Sequence, residues 1–417
     1  MKLAWALIAA PVATFPFYAS AQIVSIPSSH PKVAAALAAI RADNAWTLNQ
    51  QSSICEIPAP PFKETARAAE YKRRFEALGY KDVRIDSEGN VIATRPGKGN
   101  GPSVMIAGHL DTVFPEGTNV KVTRQGTVMK GPGISDNCRG LAVILQVAKA
   151  LNTAGVETEG TIYLVGNVGE EGPGDLRGVK HLFRKEFPGK IDYFISVDGA
   201  GLGVTSRAVG SHRYRVTYQG PGGHSYGAFG IPNPIHAMGR AIAKISELQV
   251  PAKPKTTFNV GVVSGGTSVN SISATGVMEI DMRSESADEL NKIDARIRAA
   301  IQSALAEENG RWSGTRGKLG VKIDTIGIRP TGVQSDDAQI VRVAVNAGKA
   351  LGFSEPTGAS STDANLPISM GIPAITIDGG GRGEGSHALG EQYDDTDKGW
   401  LGPQWAALIV ATLAKVR

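Results

Sequence analysis

Apolar residues recur along the first half of the chain with two alternating periods. Between residues 64 and 78 they return every three or four positions, which is the spacing of a buried helix face. Residues 140–151 show the same helical spacing. The short apolar runs at 103–107, 161–166 and 191–197 are typical of strands that are buried on both faces. Because strand and helix patterns alternate, we predict an α/β sheet covered by helices on both sides.

The pattern changes near residue 208. A strand at 211–219 precedes a helix that we expect to begin at Asn233-Pro234, because asparagine suits the N-cap and proline the first helical position. Two strands, a second helix and a last strand follow, at about 256–264, 275–283, from Ser286 onward and 321–328. The order β-α-β-β-α-β is typical of a small ferredoxin-like sandwich.

We therefore predict one α/β domain that is interrupted by a small inserted domain. The main domain consists of residues 22–207 and 329–417, and the inserted domain of residues 208–328. A chain of 417 residues is long enough for two or three domains, and it contains no internal repeats or low-complexity tracts.

The first 21 residues have the pattern of an export signal. Lys2 precedes an apolar stretch from Leu3 to Tyr18, and Ala19-Ser20-Ala21 forms a small-x-small cleavage site. We expect cleavage after Ala21 and a periplasmic or secreted mature protein, with an uncleaved anchor as the alternative. No other stretch approaches 18 apolar residues, so we expect no membrane association after cleavage.

Composition and charge exclude several classes of protein. Hydrophobic residues make up 41% and charged residues 20% of the chain, which is a globular composition. The net charge is only +5 and no run of five basic residues occurs, so we do not expect a nucleic-acid partner. Two cysteines cannot make a disulfide scaffold, and no CxxC pair exists for a structural zinc finger. Whether Cys55 and Cys138 pair stays open, and an unpaired Cys138 would be a buried thiol or a redox-sensitive one.

Acidic and histidine side chains follow the predicted strands of the main domain one after another. They are His109, Asp111, Asp136, Glu170, Glu171, Asp198 and His387. Because open α/β sheets bind ligands at the carboxyl ends of their strands, we expect these groups to meet. Each has an ordinary interpretation by itself, as a helix N-cap, a solvated loop residue or an exposed histidine. Together, two histidines and several carboxylates suit zinc, manganese or cobalt, and a bridging carboxylate suits a two-metal site.

These segments resemble the metal-binding blocks of the di-zinc exopeptidases, the family of glutamate carboxypeptidase, peptidase T, bacterial dipeptidases and aminoacylase. The blocks are GHLDTV, GPGISDNCRG, GEEG, the aspartate of SVDGAG and the late GSH. They occur in the family's order, and the resemblance covers essentially the whole mature chain. It implies a zinc-exopeptidase-type α/β/α catalytic domain with an inserted ferredoxin-like α+β lid that serves for dimerisation, and hence a homodimer.

The resemblance also implies a set of metal ligands. His109 and Asp198 would bind one zinc ion, Glu171 and His387 would bind the other, and Asp136 would bridge them. Cobalt or manganese could replace zinc. Two such cations lower the pKa of a shared water, and the hydroxide attacks the amide carbonyl.

Further residues take roles in catalysis and substrate binding through the same resemblance. Glu170 would be the general base that acts on the shared water, and Asp111 would orient the first histidine ligand. In the inserted domain, His224 matches the lid histidine that stabilises the oxyanion, often in the other subunit's site. Asn270 and Arg283 match segments that hold substrate, and Arg283 would pair with a carboxylate.

The substrate is less sharply indicated. Asp198 favours small peptides with a free amino terminus, because carboxypeptidases and aminoacylases of the family tend to carry glutamate there. A carboxypeptidase or an N-acyl amino acid amidohydrolase is the alternative, and a non-catalytic periplasmic peptide-binding protein is a second one. Ser361-Thr362-Asp363 matches a block that lines the cleft, with a helix N-cap at Asp363 as the alternative. Asn137-Cys138-Arg139 departs from the family, which usually has a lysine or a second acid in this block.

Overall fold

The computed structural model describes residues 25–312, 317–396 and 398–417. The export signal predicted for residues 1–21 lies outside these residues. Within the described ranges, none of the helices combines the length and the apolar character that a membrane crossing requires.

Helices pack against the large sheet and against the sheet of the inserted domain. The described residues contain ten α-helices, α1 to α10 in chain order: Pro31–Ala42, Asn44–Cys55, Thr65–Ala77, Cys138–Thr153, Arg177–His181, Pro234–Ser246, Ala287–Arg311, Gln339–Ala350, Asn365–Ser369 and Leu401–Leu413. Their starts follow local chemistry. The side chain of Asn233 accepts the backbone N–H of Ile235 at 2.9 Å and so caps α6, as predicted. Ser286 caps α7 in the same way.

Nineteen strands lie in the described part of the chain, β1 to β19 in chain order: Val83–Ile85, Val91–Arg95, Val104–His109, Thr123–Gln125, Val128–Lys130, Ile162–Asn167, Tyr193–Val197, Val204–Ala208, Gly210–Gln219, Gly223–His224, Thr256–Gly265, Ser271–Ile272, Thr275–Ser284, Gly320–Arg329, Gly332–Val333, Thr357–Ser360, Ala374–Ile377, Arg382–Glu384 and Gln392–Asp394. They form one large sheet and three smaller ones.

The large sheet is the centre of the main domain. Its order is β1-β2-β6-β3-β7-β17-β8-β15, with β16 beside β8. The four central strands β6, β3, β7 and β17 are parallel, so their carboxyl ends meet at one edge. In β3, Val104 and Ile106 pack in the layer of α4 and α10, whereas Met105 and Ala107 pack in the layer of α5 and α9. Helices therefore cover both faces, as the alternating pattern predicts.

The inserted domain has its own sheet and core. Its strands lie in the antiparallel order β11-β13-β9-β14, and α6 and α7 cover one face. Met278, Ile280 and Met282 of β13 point into that core. The predicted β-α-β-β-α-β order is confirmed, and the fold is an α/β domain with an inserted ferredoxin-like domain. The domain limits at 208 and 328 stay a prediction.

A small third sheet joins two distant parts of the chain. Its order is β18-β19-β5-β4, and Gln392 of β19 lies opposite Lys130 of β5. The turn after β5 leads to Asp136, and the loop between β18 and β19 carries His387. The strand ladder therefore holds these two segments side by side. The sequence pattern did not predict this sheet.

Cys55 and Cys138 form a disulfide, with their Cα atoms 5.4 Å apart. The bond joins the last residue of α2 to the first residue of α4. The interpretation of Cys138 as an unpaired thiol, buried or redox-sensitive, is therefore wrong. Sequence patterns could not decide this point, because the 83 positions that separate the cysteines say nothing about their distance in space.

Candidate metal centre

His109 is the last residue of β3, and its ring is almost fully buried. Its Nδ1 donates to the backbone carbonyl of Asp111 at 3.0 Å. Nε2 then faces the carboxylates of Asp136, at 3.1 Å, and Asp198, at 3.7 Å. A ring nitrogen fixed by a carbonyl leaves the other nitrogen as a ligand, which is the usual arrangement of a metal-binding histidine.

Asp111 orients the site differently from the prediction. Its carboxylate lies 3.7 Å from Nδ1 of His109, so the backbone carbonyl makes the closer contact with the ring. The carboxylate accepts the backbone N–H groups of Glu170, at 3.1 Å, and Glu171, at 2.8 Å. Burial raises the pKa of Asp111, but the contact with His109 and the two N–H groups outweigh this and lower it. Asp111 therefore fixes the start of the loop that carries both glutamates.

Asp136 lies between the two histidines. Its Oδ1 faces His109, and its Oδ2 lies 3.2 Å from Nε2 of His387. The interpretation of Asp136 as a helix N-cap is wrong, because Asn137 caps α4 by accepting the N–H of Gly140 at 3.0 Å. Both oxygens of Asp136 are therefore turned towards possible ligand partners.

Glu391 holds the turn that presents Asp136. Its buried carboxylate accepts the backbone N–H groups of Gly133, Ser135 and Asp136 at 3.0, 2.8 and 2.8 Å. Burial raises the pKa of Glu391 above its usual value, although the hydrogen bonds from Ser135 and Asp136 oppose this rise. We did not predict this residue. No pattern in the sequence marks it.

Glu171 and His387 complete a second group around Asp136. Nε2 of His387 lies 3.1 Å from Oε1 of Glu171. His387 has a φ of 68°, in the left-handed region, which is uncommon for residues other than glycine. Glu170 and Glu171 are 4% and 6% exposed, so their interpretation as solvated loop residues is wrong.

Four groups of side chains in the described residues could hold a metal ion, and two of these groups share the carboxylate of Asp136. One consists of His109, Asp136 and Asp198, and the other of Asp136, Glu171 and His387. Within each group the ligand atoms lie within 4.8 Å of one another. Nitrogen and carboxylate donors in this ratio suit zinc-class ions. The predicted set meets at the carboxyl ends of the parallel strands.

The electrostatics of the site favour cations. Burial lowers the pKa of His109, but the nearby carboxylates of Asp111, Asp136 and Asp198 outweigh it and raise the pKa well above its usual value. Contacts with Asp136 and the neighbouring Glu171 raise the pKa of His387 to about 10. Protons held so firmly indicate a strongly negative site, and a bound dication would satisfy the same carboxylates.

Glu170 lies beside this centre and is held by an arginine at the boundary between the inserted domain and the main domain. Burial raises the pKa of Glu170 well above its usual range, although the charge of Arg329 opposes this. Nη1 of Arg329 donates to Oε1 of Glu170 at 2.7 Å, and Nη2 donates to the backbone carbonyl of Glu170. Arg329 is the last residue of β14. We did not predict it, and no sequence pattern marks it apart from its place where the chain returns to the main domain.

A cavity of about 520 Å³ opens over the ligand groups and is lined by both domains. The inserted domain contributes Arg213 and Arg283, whose Nε atoms both lie 2.8 Å from the carboxylate of Asp281. Arg213 also donates to the carbonyl of Gly172 at 3.0 Å. The predicted Arg283 therefore faces the same space as the ligand groups. The cavity has the volume of a small-molecule binding site.

Two further carboxylates lie near this cavity. Asp378 follows β17 and lines the cavity, and burial raises its pKa to about 7. Asp363 is buried and accepts from Asn167 at 2.7 Å, and burial raises its pKa to about 7. The interpretation of Asp363 as a helix N-cap is wrong, because Ala364 is the N-cap of α9.

His224 and Asn270 do not line the cavity of their own chain. They lie on or beside the small sheet formed by β10 and β12, and both are exposed. Nδ1 of His224 accepts the backbone N–H groups of Tyr226 and Gly227 at 3.3 and 3.2 Å. Ser268 donates to Oδ1 of Asn270 at 2.6 Å. Their predicted roles therefore stay predictions.

Comparison of the sequence with known families and proteins gives consistent matches. The profile of peptidase family M20/M25/M40 matches residues 105–400. The uncharacterized protein YqjE of Bacillus subtilis (strain 168) is 27% identical over 325 residues, which cover 73% of this chain and 82% of that protein. Carboxypeptidase G2 of Pseudomonas sp. (strain RS-16) is 27% identical over 311 residues, which cover 72% of each chain.

Solved structures match over nearly their whole length. A tripeptidase from Staphylococcus aureus has a TM-score of 0.71 at 22% identity, and the match covers 88% of this chain and 98% of that one. YxeP of Bacillus subtilis, described as a dinuclear metal-binding peptidase, has a TM-score of 0.63 at 18% identity, covering 90% and 99%. At these identities the likeness shows the fold alone.

Proposed function

The chain belongs to peptidase family M20/M25/M40, and from this membership we propose that it is an exported two-metal exopeptidase that cleaves small peptides. The membership confirms the resemblance to the di-zinc exopeptidases and makes the protein a hydrolase of the peptidase and amidohydrolase type. It also removes the alternative of a non-catalytic binding protein. The observation that carries the proposal is the pair of ligand groups that share Asp136.

The residues fit two zinc ions. His109 and Asp198 would hold one ion, Glu171 and His387 the other, and Asp136 both. The donor types and the raised pKa values of the histidines suit cations, and four of the five ligands are buried or half-buried. Once bound, such ions supply Lewis acidity that polarises the substrate carbonyl and makes a water acidic. Cobalt and manganese suit the same donors.

Glu170 is the general base of this proposal. Its carboxylate takes a proton from the attacking water and later gives it to the nitrogen of the leaving amine. Two contacts keep it in place: Asp111 accepts its backbone N–H, and Arg329 donates to its carboxylate. Because Glu170 is nearly inaccessible to solvent, the proton stays within the site between the two transfers.

Substrate binding uses the inserted domain. Arg283 lines the cavity and is 43% exposed along its side chain, so its guanidinium can pair with a substrate carboxylate. His224 and Asn270 are exposed and lie outside the cavity, and we propose that they complete the site of a second copy in a homodimer. Tyr226 and Phe229, at 90% and 70% exposure, lie beside His224 and suit burial in such an interface.

Export to the periplasm or outside the cell is supported by two features of the chain. Residues 1–21 have the pattern of a signal peptide. Cys55 and Cys138 form a disulfide, and disulfides persist in oxidising compartments. Fractionation of the producing cells, with and without residues 2–21, tests this part of the proposal.

A carboxypeptidase or aminoacylase activity is the second candidate. Carboxypeptidase G2 is a relative of this chain, and relatives described as acetylornithine deacetylase also match. Arg283 would serve such substrates equally well. Comparing hydrolysis of a dipeptide with that of its N-acetylated form separates the two candidates, and faster hydrolysis of the acetylated form would favour the second.

Metal analysis tests the central proposal. Protein stripped with a chelator and reconstituted with zinc should bind about two ions per chain and regain peptidase activity. Asp136→Asn should lower the binding of both ions, because the carboxylate belongs to both groups. Asp336→Asn, an exposed acid outside the cavity, is the matched control. Failure of the reconstituted wild type to bind zinc would refute the proposal.

A further inference from the structure

Asp378 extends the row of functional groups along the edge of the main sheet. The strand order β6-β3-β7-β17 places Glu170 and Glu171, then His109, then Asp198, then Asp378 at successive strand ends. The backbone N–H of Asp198 donates to the carbonyl of Ile377 at 3.0 Å, so the two aspartates follow directly paired strands. Neighbouring strands are about 4.8 Å apart. Asp378 therefore lies about one strand beyond a proposed metal ligand.

The carboxylate of Asp378 is half-buried and is not a member of either ligand group. Its Oδ2 accepts the backbone N–H of Gly203 at 2.8 Å. The charged groups that act most strongly on it, Asp198 and Glu355, are both acids. Asp378 faces the cavity, and these neighbours include no cation of its own chain. Its carboxylate is therefore arranged to pair with a cationic group of a ligand.

The inserted domain and the main domain contribute side chains of opposite charge to the lining of the cavity. The inserted domain provides Arg213 and Arg283, whereas the main sheet provides Asp378 beyond the ligand groups. A peptide with free ends carries one ammonium and one carboxylate. The cavity therefore offers a partner of opposite charge to each end of a small unblocked peptide.

We propose that Asp378 is a specificity-determining residue whose carboxylate binds the α-ammonium group of the substrate, so that the enzyme selects peptides with a free amino terminus. This inference rests on the proposed peptidase function and names its substrate class. In a peptide, the amino nitrogen is about 2.5 Å from the carbonyl carbon of the same residue, since two bonds separate them. A carbonyl placed over the ligand groups thus brings its ammonium group towards the next strand end, where Asp378 lies.

A two-by-two comparison of enzyme and substrate tests the inference. Wild type and Asp378→Asn are each assayed with alanyl-alanine and with propionyl-alanine, which lacks only the amino group. A charge-assisted hydrogen bond is worth a factor of about 10 to 100, so Asp378→Asn should lower kcat/KM for alanyl-alanine by that factor, mainly through KM. It should leave kcat/KM for propionyl-alanine within about threefold. Asp336→Asn, an exposed acid outside the cavity, is the control and should change the hydrolysis of neither substrate.

The outcomes separate this inference from the proposed function. If wild type hydrolyses neither substrate after zinc reconstitution, the peptidase proposal itself fails. If wild type hydrolyses both substrates with the same kcat/KM, the enzyme does not recognise the ammonium group and the inference is overturned. This comparison needs no variant. An equal loss on both substrates in Asp378→Asn, with zinc content and thermal unfolding unchanged, also overturns it.

Discussion

Removal of the disulfide should lower the free energy of unfolding by an amount that depends on the length of the loop that the bond closes. The bond closes a loop of 83 positions between Cys55 and Cys138. The chain-entropy relation for a loop of that length gives about 4.5 kcal/mol, and native disulfides typically contribute about 2–4 kcal/mol. We therefore expect the double variant Cys55→Ala/Cys138→Ala to lose about 2–4.5 kcal/mol of unfolding free energy.

The assay is urea unfolding of the metal-free protein, because bound metal would add its own stabilisation. Wild type in a reducing agent should approach the double variant, and wild type without it is the control. Zinc affinity should fall as well, since Cys138 follows Asp136 by two positions at the start of α4. A double variant that unfolds within about 0.5 kcal/mol of oxidised wild type would refute the reasoning.

Three further predictions concern the site. Glu170→Gln should keep its zinc content and lose activity by about a hundredfold or more, as measured by peptide hydrolysis, because proton transfer by a positioned base contributes at least that factor; unchanged turnover would contradict its role. Mixing Glu170→Gln subunits with His224→Ala subunits should restore part of the activity if the histidine acts across a dimer, and confirmed hybrids without recovery would show that it does not. The pKa of His387, about 10, lies above the unfolded value of about 6.5, so its proton stabilises the metal-free fold below pH 6.5 and this effect is lost as the pH rises through 10. Zinc must displace that proton, so calorimetry in buffers of different ionisation enthalpy should show proton release, with affinity rising with pH; pH-independent affinity would argue against the assigned ligand.

Three of the five proposed ligands could be predicted from the sequence by a rule of sheet geometry, whereas Asp136 and His387 lie in turns of the small sheet β18-β19-β5-β4. His109, Glu171 and Asp198 each come at the end of an apolar run, and parallel strands bring such ends together. The resemblance to a known family then supplied their roles. The disulfide, the N-cap of α4 and the backbone contact of His109 depend on distances of a few ångströms, which no spacing along the chain encodes.

Residues that support the site from a distance were not predictable in this way. Arg329 reaches Glu170 from the end of β14, and Glu391 reaches the Asp136 turn from near the end of the chain. Neither lies in a motif with a recognised period. Asp378 lies at a strand end like the ligands, but only the sheet order shows that its strand is the neighbour of β7.

The pairing of β5 with β19 has a consequence for the order in which the site can assemble during synthesis of the chain. The ribosome makes His109, Asp136, Glu171 and Asp198 long before it makes the loop that carries His387. Until that loop emerges and adds its strand, the second ligand group lacks its histidine and the Asp136 turn lacks the carboxylate of Glu391. A chain that stops before this loop therefore cannot assemble both of the ligand groups that we propose to bind metal.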